Sequence, residues 1–223
     1  MGFDVKITTF SGILDLIAPY SCRGCGQLGE VLCECCKNYN IKHMAKICSR
    51  CRKSIEKCKC DVPVYTASCR DGLMKNLVED YKYQSIRGLD KVLAEMLGKA
   101  LPEDLRDTII VPLPTTSKHI RERGFDHTLR LARALSKMDK SYSFEQLIIR
   151  NNNTVQVGSD AKTRKRQAKE AYLIKAGKVD CDKKYLLIDD VWTTGASMEA
   201  AIDLMKKAGA KHLTAAVILT ARK

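Results

Sequence analysis

Apolar residues recur along the chain in two different periods. Unbroken runs at Thr108–Val111 and Tyr185–Ile188 are strand-sized and end in proline or charge, as buried parallel strands do. Elsewhere the spacing turns helical: Leu73, Leu77, Val78 and Tyr81; Leu129, Leu131 and Leu135 behind a candidate N-cap, Asp126; Met198, Ile202 and Met205 ahead of a candidate C-cap, Gly209. Alternation of this kind predicts an α/β fold, a mostly parallel sheet flanked by helices, from about residue 65 to the end. Two stretches break the pattern. Residues 22–60 hold few large aliphatics, and residues 150–170 are polar, basic and without periodicity, which reads as a loop.

No run of about 18 apolar residues occurs, so no membrane-spanning helix is expected. Asp15 interrupts the apolar stretch from Ile13 to Ala18 and no basic leader precedes it, which argues against a signal peptide. Lys6 stands where myristoylation needs Ser or Thr. The expectation is a cytoplasmic chain, with a peripheral position at the inner face of the membrane left open.

Composition changes the picture mainly through charge. The 223 residues carry 39 Lys or Arg against 26 Asp or Glu, a formal +13 that favours polyanionic partners: nucleic acid, phosphorylated small molecules or an anionic surface. The excess is concentrated in residues 115–175, where 14 basic residues face 6 acidic ones. Residues 71–114, by contrast, have 6 basic against 8 acidic.

Ten of the 11 cysteines lie between Cys22 and Cys69, and in a cytoplasmic chain such clustering points to zinc rather than disulfides. Cys22-Arg-Gly-Cys25, Cys33-Glu-Cys35-Cys36, Cys48-Ser-Arg-Cys51 and Cys58-Lys-Cys60 form four groups, enough for two tetrahedral sites. Sequential pairing assigns Cys22, Cys25, Cys33 and Cys36 to one ion and Cys48, Cys51, Cys58 and Cys60 to the other. An interleaved pairing stays open, Cys35 competes with Cys36, and His43 is a substitute for a defective site. A segment so poor in aliphatics would draw its folding energy from the metal. Cys69 and Cys181 read as small packed side chains.

The run Tyr185–Ile188 leads into Asp189-Asp190-Val191-Trp192-Thr193-Thr194-Gly195-Ala196-Ser197 and then a helix. This predicts a strand, an acidic turn and a Thr/Gly loop at a helix N-terminus. Backbone N–H groups and hydroxyls there suit a phosphate, and two carboxylates beside it suit a ribose diol and a magnesium complex. The sequence here resembles the type I phosphoribosyltransferases, which bind phosphoribosyl pyrophosphate. The rest of the chain resembles the ComF family of competence proteins over nearly its full length: the Cys groups resemble its N-terminal zinc ribbon, Lys82-Tyr83 its Lys-Tyr motif, Val111-Pro112-Leu113-Pro114 its strand end, and Arg121-Glu122-Arg123-Gly124-Phe125 its Arg-Gly-Phe motif, while Gln156, Arg164 and Tyr172 fit a third. Asp126-His127 and Gln167 depart from the family pattern.

The resemblance implies a Rossmann-like type I phosphoribosyltransferase fold: a short helix at 1–19, a double zinc ribbon at 20–62 and a phosphoribosyltransferase-like domain at 65–223. It implies binding of phosphoribosyl pyrophosphate with magnesium, two structural zinc ions, and a part in handling incoming single-stranded DNA, with a competence helicase or other DNA-uptake proteins as partners. Asp189, Asp190, Arg123 and Lys82 become the catalytic candidates. Thr193, Thr194, Gly195, Ala196 and Ser197 complete the phosphate loop, and Pro114, Lys118, Arg121 and Arg123 face pyrophosphate. Lys162, Arg164, Lys165, Arg166 and Lys169 are candidates for a nucleic-acid backbone, with a lid or plain solvation as other readings. His119 and His127 read as surface or capping residues, and Trp192 as a residue that stacks on a base or packs beside the sheet. Rival functions are a metabolic phosphoribosyltransferase acting on a base or amine, and a zinc-ribbon DNA-binding module with a vestigial sugar-phosphate site.

Overall fold

The computed structural model describes residues 19–41, 46–58, 61–70, 72–84, 86, 88–151, 171–175 and 179–220. The expected helix at 1–19 therefore lies almost wholly outside the described residues, as do His43, Cys60, Gln156, Gln167 and all five nucleic-acid candidates. The chain divides into two units, residues 1–40 and 41–223.

The described part of the smaller unit is a cysteine knuckle followed by helix α1 (Glu34–Asn40). The larger unit is built on a six-stranded sheet. Its strands in chain order are β1 (Ile47–Cys48), β2 (Pro63–Cys69), β3 (Thr108–Pro112), β4 (Tyr142–Phe144), β7 (Lys184–Trp192) and β8 (His212–Thr220), placed across the sheet as β1-β2-β8-β7-β3-β4. All neighbours run parallel except β1, which lies antiparallel on β2. A separate antiparallel pair, β5 (Ile148–Arg150) and β6 (Tyr172–Ile174), brackets the polar stretch.

The central strand β7 shows why the sheet is buried on both faces. Tyr185 and Leu187 join a cluster with Val111, Val217 and helix α6 (Ala196–Lys207), through Met198, Ile202 and Met205. Leu186 and Ile188, equally buried, point the other way by the two-residue period of a strand. On that side α3 (Leu89–Ala100) and α5 (His127–Met138) pack together and onto the sheet, while α2 (Gly72–Tyr83) packs on α3. Each fully buried Leu, such as Leu93, Leu97 and Leu131, contributes roughly 1.5–3 kcal/mol.

The structure corrects the sequence at the end of β7, which matters for the site. The acidic pair is not in a turn: β7 continues through Asp189, Asp190 and Val191 to Trp192. The cause is the length of β8, whose Val217, Leu219 and Thr220 pair with Asp189, Val191 and Trp192. The expected caps are present. Asp126 accepts from Leu129 N at the start of α5, and Gly209, at φ 103°, follows α6.

Candidate ribose-phosphate site and cysteine clusters

Because successive strand residues face opposite ways, the two carboxylates enter different environments. Asp190 turns toward α2 and α5. Its Oδ2 lies 2.5 Å from Lys82 Nζ and 3.1 Å from His127 Nε2, all three side chains being largely buried. Burial alone would push this carboxyl up, but the His127 hydrogen bond and the Lys82 charge outweigh it and hold it below the usual carboxylate range. Asp189 lines the cleft on the α6 side with Val191 and Val217. Burial, reinforced by the charge of Asp190, raises its carboxyl well above the ordinary value.

His127 corrects the sequence reading: it is a buried member of the site, not a surface or capping residue. Its Nδ1 lies 3.0 Å from Arg123 Nη1. A guanidinium has no lone pair, so in this contact Nδ1 accepts, which leaves Nε2 facing Asp190. Arg123 also stacks on Tyr83, 4.9 Å from the ring centre, and donates to its Oη at 3.3 Å. Tyr81 donates to the His127 carbonyl at 2.6 Å and Thr115 donates to Asp126 at 2.9 Å, tying the start of α5 to α2 and to the end of β3.

The Thr/Gly loop follows at once. Gly195 sits at φ 80°, ψ −2°, and α6 begins behind it without a side-chain cap, leaving its first N–H groups to the cleft. Thr193, Thr194 and Ser197 are exposed around a cleft of about 270 Å³, and Gly195 is buried beneath it. The glycine is required twice over: its φ is one that side chains rarely adopt, and a Cβ would overlap Arg52 Nη2 and Trp192 Nε1. Trp192 packs in the core, 2% exposed, so of its two expected roles the structure shows packing.

The cysteines gather as the spacing suggests, as far as they are described. Cys22, Cys25, Cys33 and Cys36 bring their sulfurs within 4.8 Å of one another, and so do Cys48, Cys51 and Cys58. Sulfurs around tetrahedral zinc sit about 3.8 Å apart, given Zn–S of about 2.3 Å. The Cys25–Cys33 and Cys51–Cys58 separations of 3.6 and 3.1 Å, with an all-sulfur donor set, suit such an ion. Burial pushes the Cys22 thiol up, yet the N–H groups of Cys33 and Gly24, 3.3 and 3.4 Å from its sulfur, outweigh burial and bring it to about 6.

Among solved structures the chain is similar to an allosteric regulatory enzyme of purine biosynthesis, at 15% identity and a TM-score of 0.44 over 62% of this chain and 29% of that one. It is similar as well to glutamine phosphoribosylpyrophosphate amidotransferase from B. subtilis, at 16% and 0.43 over 62% and 30%. A purine phosphoribosyltransferase from Pyrococcus horikoshii matches at 19% and 0.36 over 59% and 82%. The matches span under a third of the first two enzymes. Residues 122–223 match the model of the phosphoribosyl transferase domain. Across 93% of its length the chain is 28% identical to competence protein ComFC of Streptococcus pneumoniae, covering 91% of that protein. The chain is thus similar to ComFC and has a phosphoribosyltransferase-like fold.

The predicted pyrophosphate residues separate in the structure. Arg123 joins the His127–Asp190 network, whereas Lys118 and Arg121 are exposed on α4 (Ser117–Arg123), Lys118 lying 3.9 Å from Glu122. The Pro114 carbonyl accepts from Arg150 Nε at 3.3 Å, and the same guanidinium lies 5.2 Å from the Tyr172 ring centre, fixing the β5–β6 pair beside the loop after β3. His127, Arg150 and Arg52 are the residues that sequence reasoning missed. A histidine directly after an N-cap was the available signal for the first; periodicity offers none for the two arginines. Among the described residues no helix is long and apolar enough to cross a membrane.

Proposed function

We propose that this chain binds phosphoribosyl pyrophosphate with magnesium at the carboxyl end of β7, and that it acts on or beside single-stranded DNA during natural transformation. The observation that carries the first half is the juxtaposition of Asp189, Asp190 and the left-handed Gly195 loop at the uncapped start of α6. A phosphate monoester fits the N–H groups of Ala196 and Ser197 and the hydroxyls of Thr193, Thr194 and Ser197. The ribose diol fits the carboxylates. Asp189 and Asp190 are also the residues that suit magnesium, which when bound neutralises charge on the pyrophosphate. Lys82 and His127 keep Asp190 charged and oriented, and Arg123 offers a fork of donors from the pyrophosphate side. Lys118 and Arg121 add positive potential at longer range.

The zinc reading is two structural ions, in Cys22–Cys36 and in Cys48–Cys60. The DNA reading draws support from the name of the ComFC relative and from the basic segment at 115–175, whose described part exposes Lys118, Arg121, Lys137 and Lys140. Lys162, Arg164, Lys165, Arg166 and Lys169 complete that surface in our proposal.

The raised carboxyl of Asp189 supplies a test of the ligand. A group held above its ordinary value keeps its proton at pH values where a free carboxylate has lost it, and a magnesium–ribose complex requires the ionised form. Binding therefore expels a proton, and affinity rises with pH until the raised value of Asp189 is passed, then levels. Calorimetry in two buffers of different ionisation enthalpy should give different apparent binding enthalpies. Identical enthalpies would remove Asp189 from the ligand.

A further inference from the structure

Arg52, directly after Cys51, is held at φ 62°, a backbone region that bulky residues rarely occupy. Its N–H donates to the Cys48 carbonyl at 3.1 Å, closing the knuckle, so its side chain is thrown outward from the sulfurs. The guanidinium lies 3.9 Å from the Trp192 ring centre, donates to Thr193 O at 3.2 Å from Nη1 and to Thr194 O from Nη2, and fills the space beside Gly195. A strained residue whose cation ends on a ligand loop points to a role at that loop.

The same knuckle is fastened to the helix behind the loop. Arg50 Nε lies 2.7 Å from Asp61 Oδ2, and its Nη2 lies 3.5 Å from Asp203 on α6. Lys206 of α6 reaches the other oxygen of Asp61 at 2.5 Å, and the Asp61 side chain is only 3% exposed. Two arginines flanking Cys51 thus grip the two ends of one loop–helix element.

We propose that the Cys48–Cys58 knuckle is a metal-dependent clamp on the phosphate loop, in which Arg52 positions Thr193, Thr194 and Gly195 to receive the phosphate of a ribose phosphate. The inference rests on the ribose-phosphate reading above and adds the residue that ties the cysteine cluster to it. The metal's part is to fix the knuckle. Arg52 acts through the loop carbonyls and the indole face, turning the intervening N–H groups toward the cleft. Lysine cannot replace the planar fork and the stack together.

The chain contains a single Trp, Trp192, so its emission reports the clamp directly. The experiment uses the full chain as wild type, Arg52→Ala and Arg52→Lys, with ribose 5-phosphate and magnesium as the calorimetric probe. Arg52→Ala is expected to weaken binding roughly tenfold or more, as loss of charged hydrogen bonds does, with metal content unchanged; Arg52→Lys should recover only a minor part. In magnesium-free buffer, a zinc chelator should change Trp192 emission in wild type and leave Arg52→Ala unchanged. Equal or tighter binding by Arg52→Ala overturns the positioning role, and an equal emission change in both proteins overturns the coupling to metal. Wild type that binds no ribose 5-phosphate overturns the ribose-phosphate reading itself, and this inference with it.

Discussion

Replacing Lys82 by Met should lower the unfolding midpoint by roughly 6–12 °C, from a loss of about 3 kcal/mol at about 2–4 °C per kcal/mol for a domain of this size. The reason is what remains. Asp190, at 5% exposure, would keep its charge with only His127 to answer it, since Lys82 supplies the nearest cation. The sign follows from the same pairing. Asp190 is held below its ordinary value, so its pairing contributes stability above the ordinary carboxylate range and loses it as pH falls through the depressed value. The double variant Lys82→Met with Asp190→Asn should lose less than the two single losses combined, because it removes both charges at once. Thermal melts of the four proteins check this; additive losses would mean that the two residues do not act as a pair.

Gly195→Ala should weaken ribose 5-phosphate binding about ten- to a hundredfold, from roughly 1–3 kcal/mol of backbone strain at a left-handed position. A Cβ there meets Arg52 and Trp192, and Trp192 is packed too tightly to yield. Gly209→Ala is the control. That glycine also has positive φ, at 103°, but nothing lies within 4 Å of its Cβ position and it stands at the far end of α6. It should cost stability and leave binding untouched. Calorimetry on both variants decides the matter: equal loss in the two would assign the effect to folding, not to the phosphate loop.

What could be read in advance divides along the distance over which each signal acts. Strand runs, helical spacing and the Asp126 cap are local, and the structure has them where the periods put them. The Asp-Asp/Thr-Thr-Gly series is local too, because one strand–loop–helix carries nearly all its chemistry. The end of β7 was misplaced because it depends on how far β8 extends, which no residue near Asp189 reveals. His127 was misread for a similar reason: its cap neighbour is adjacent, whereas its carboxylate partner arrives from another strand. Arg52 was hidden most completely. The knuckle spacing marks sulfurs as ligands but says nothing of where the residue between knuckle and loop points, and its partners lie 141 and 142 positions away.

Ligand binding at the two carboxylates is tested by calorimetric titration of phosphoribosyl pyrophosphate, with and without magnesium, into the full chain and into the Asp189→Asn, Asp190→Asn double variant. Wild type is expected to show saturable, magnesium-dependent binding of one ligand per chain, weakened roughly a hundredfold or more in the variant as two charged contacts are lost, while the variant still unfolds cooperatively. Equal affinity in the two proteins, or no saturable binding in wild type, would rule out a ligand site at Asp189 and Asp190.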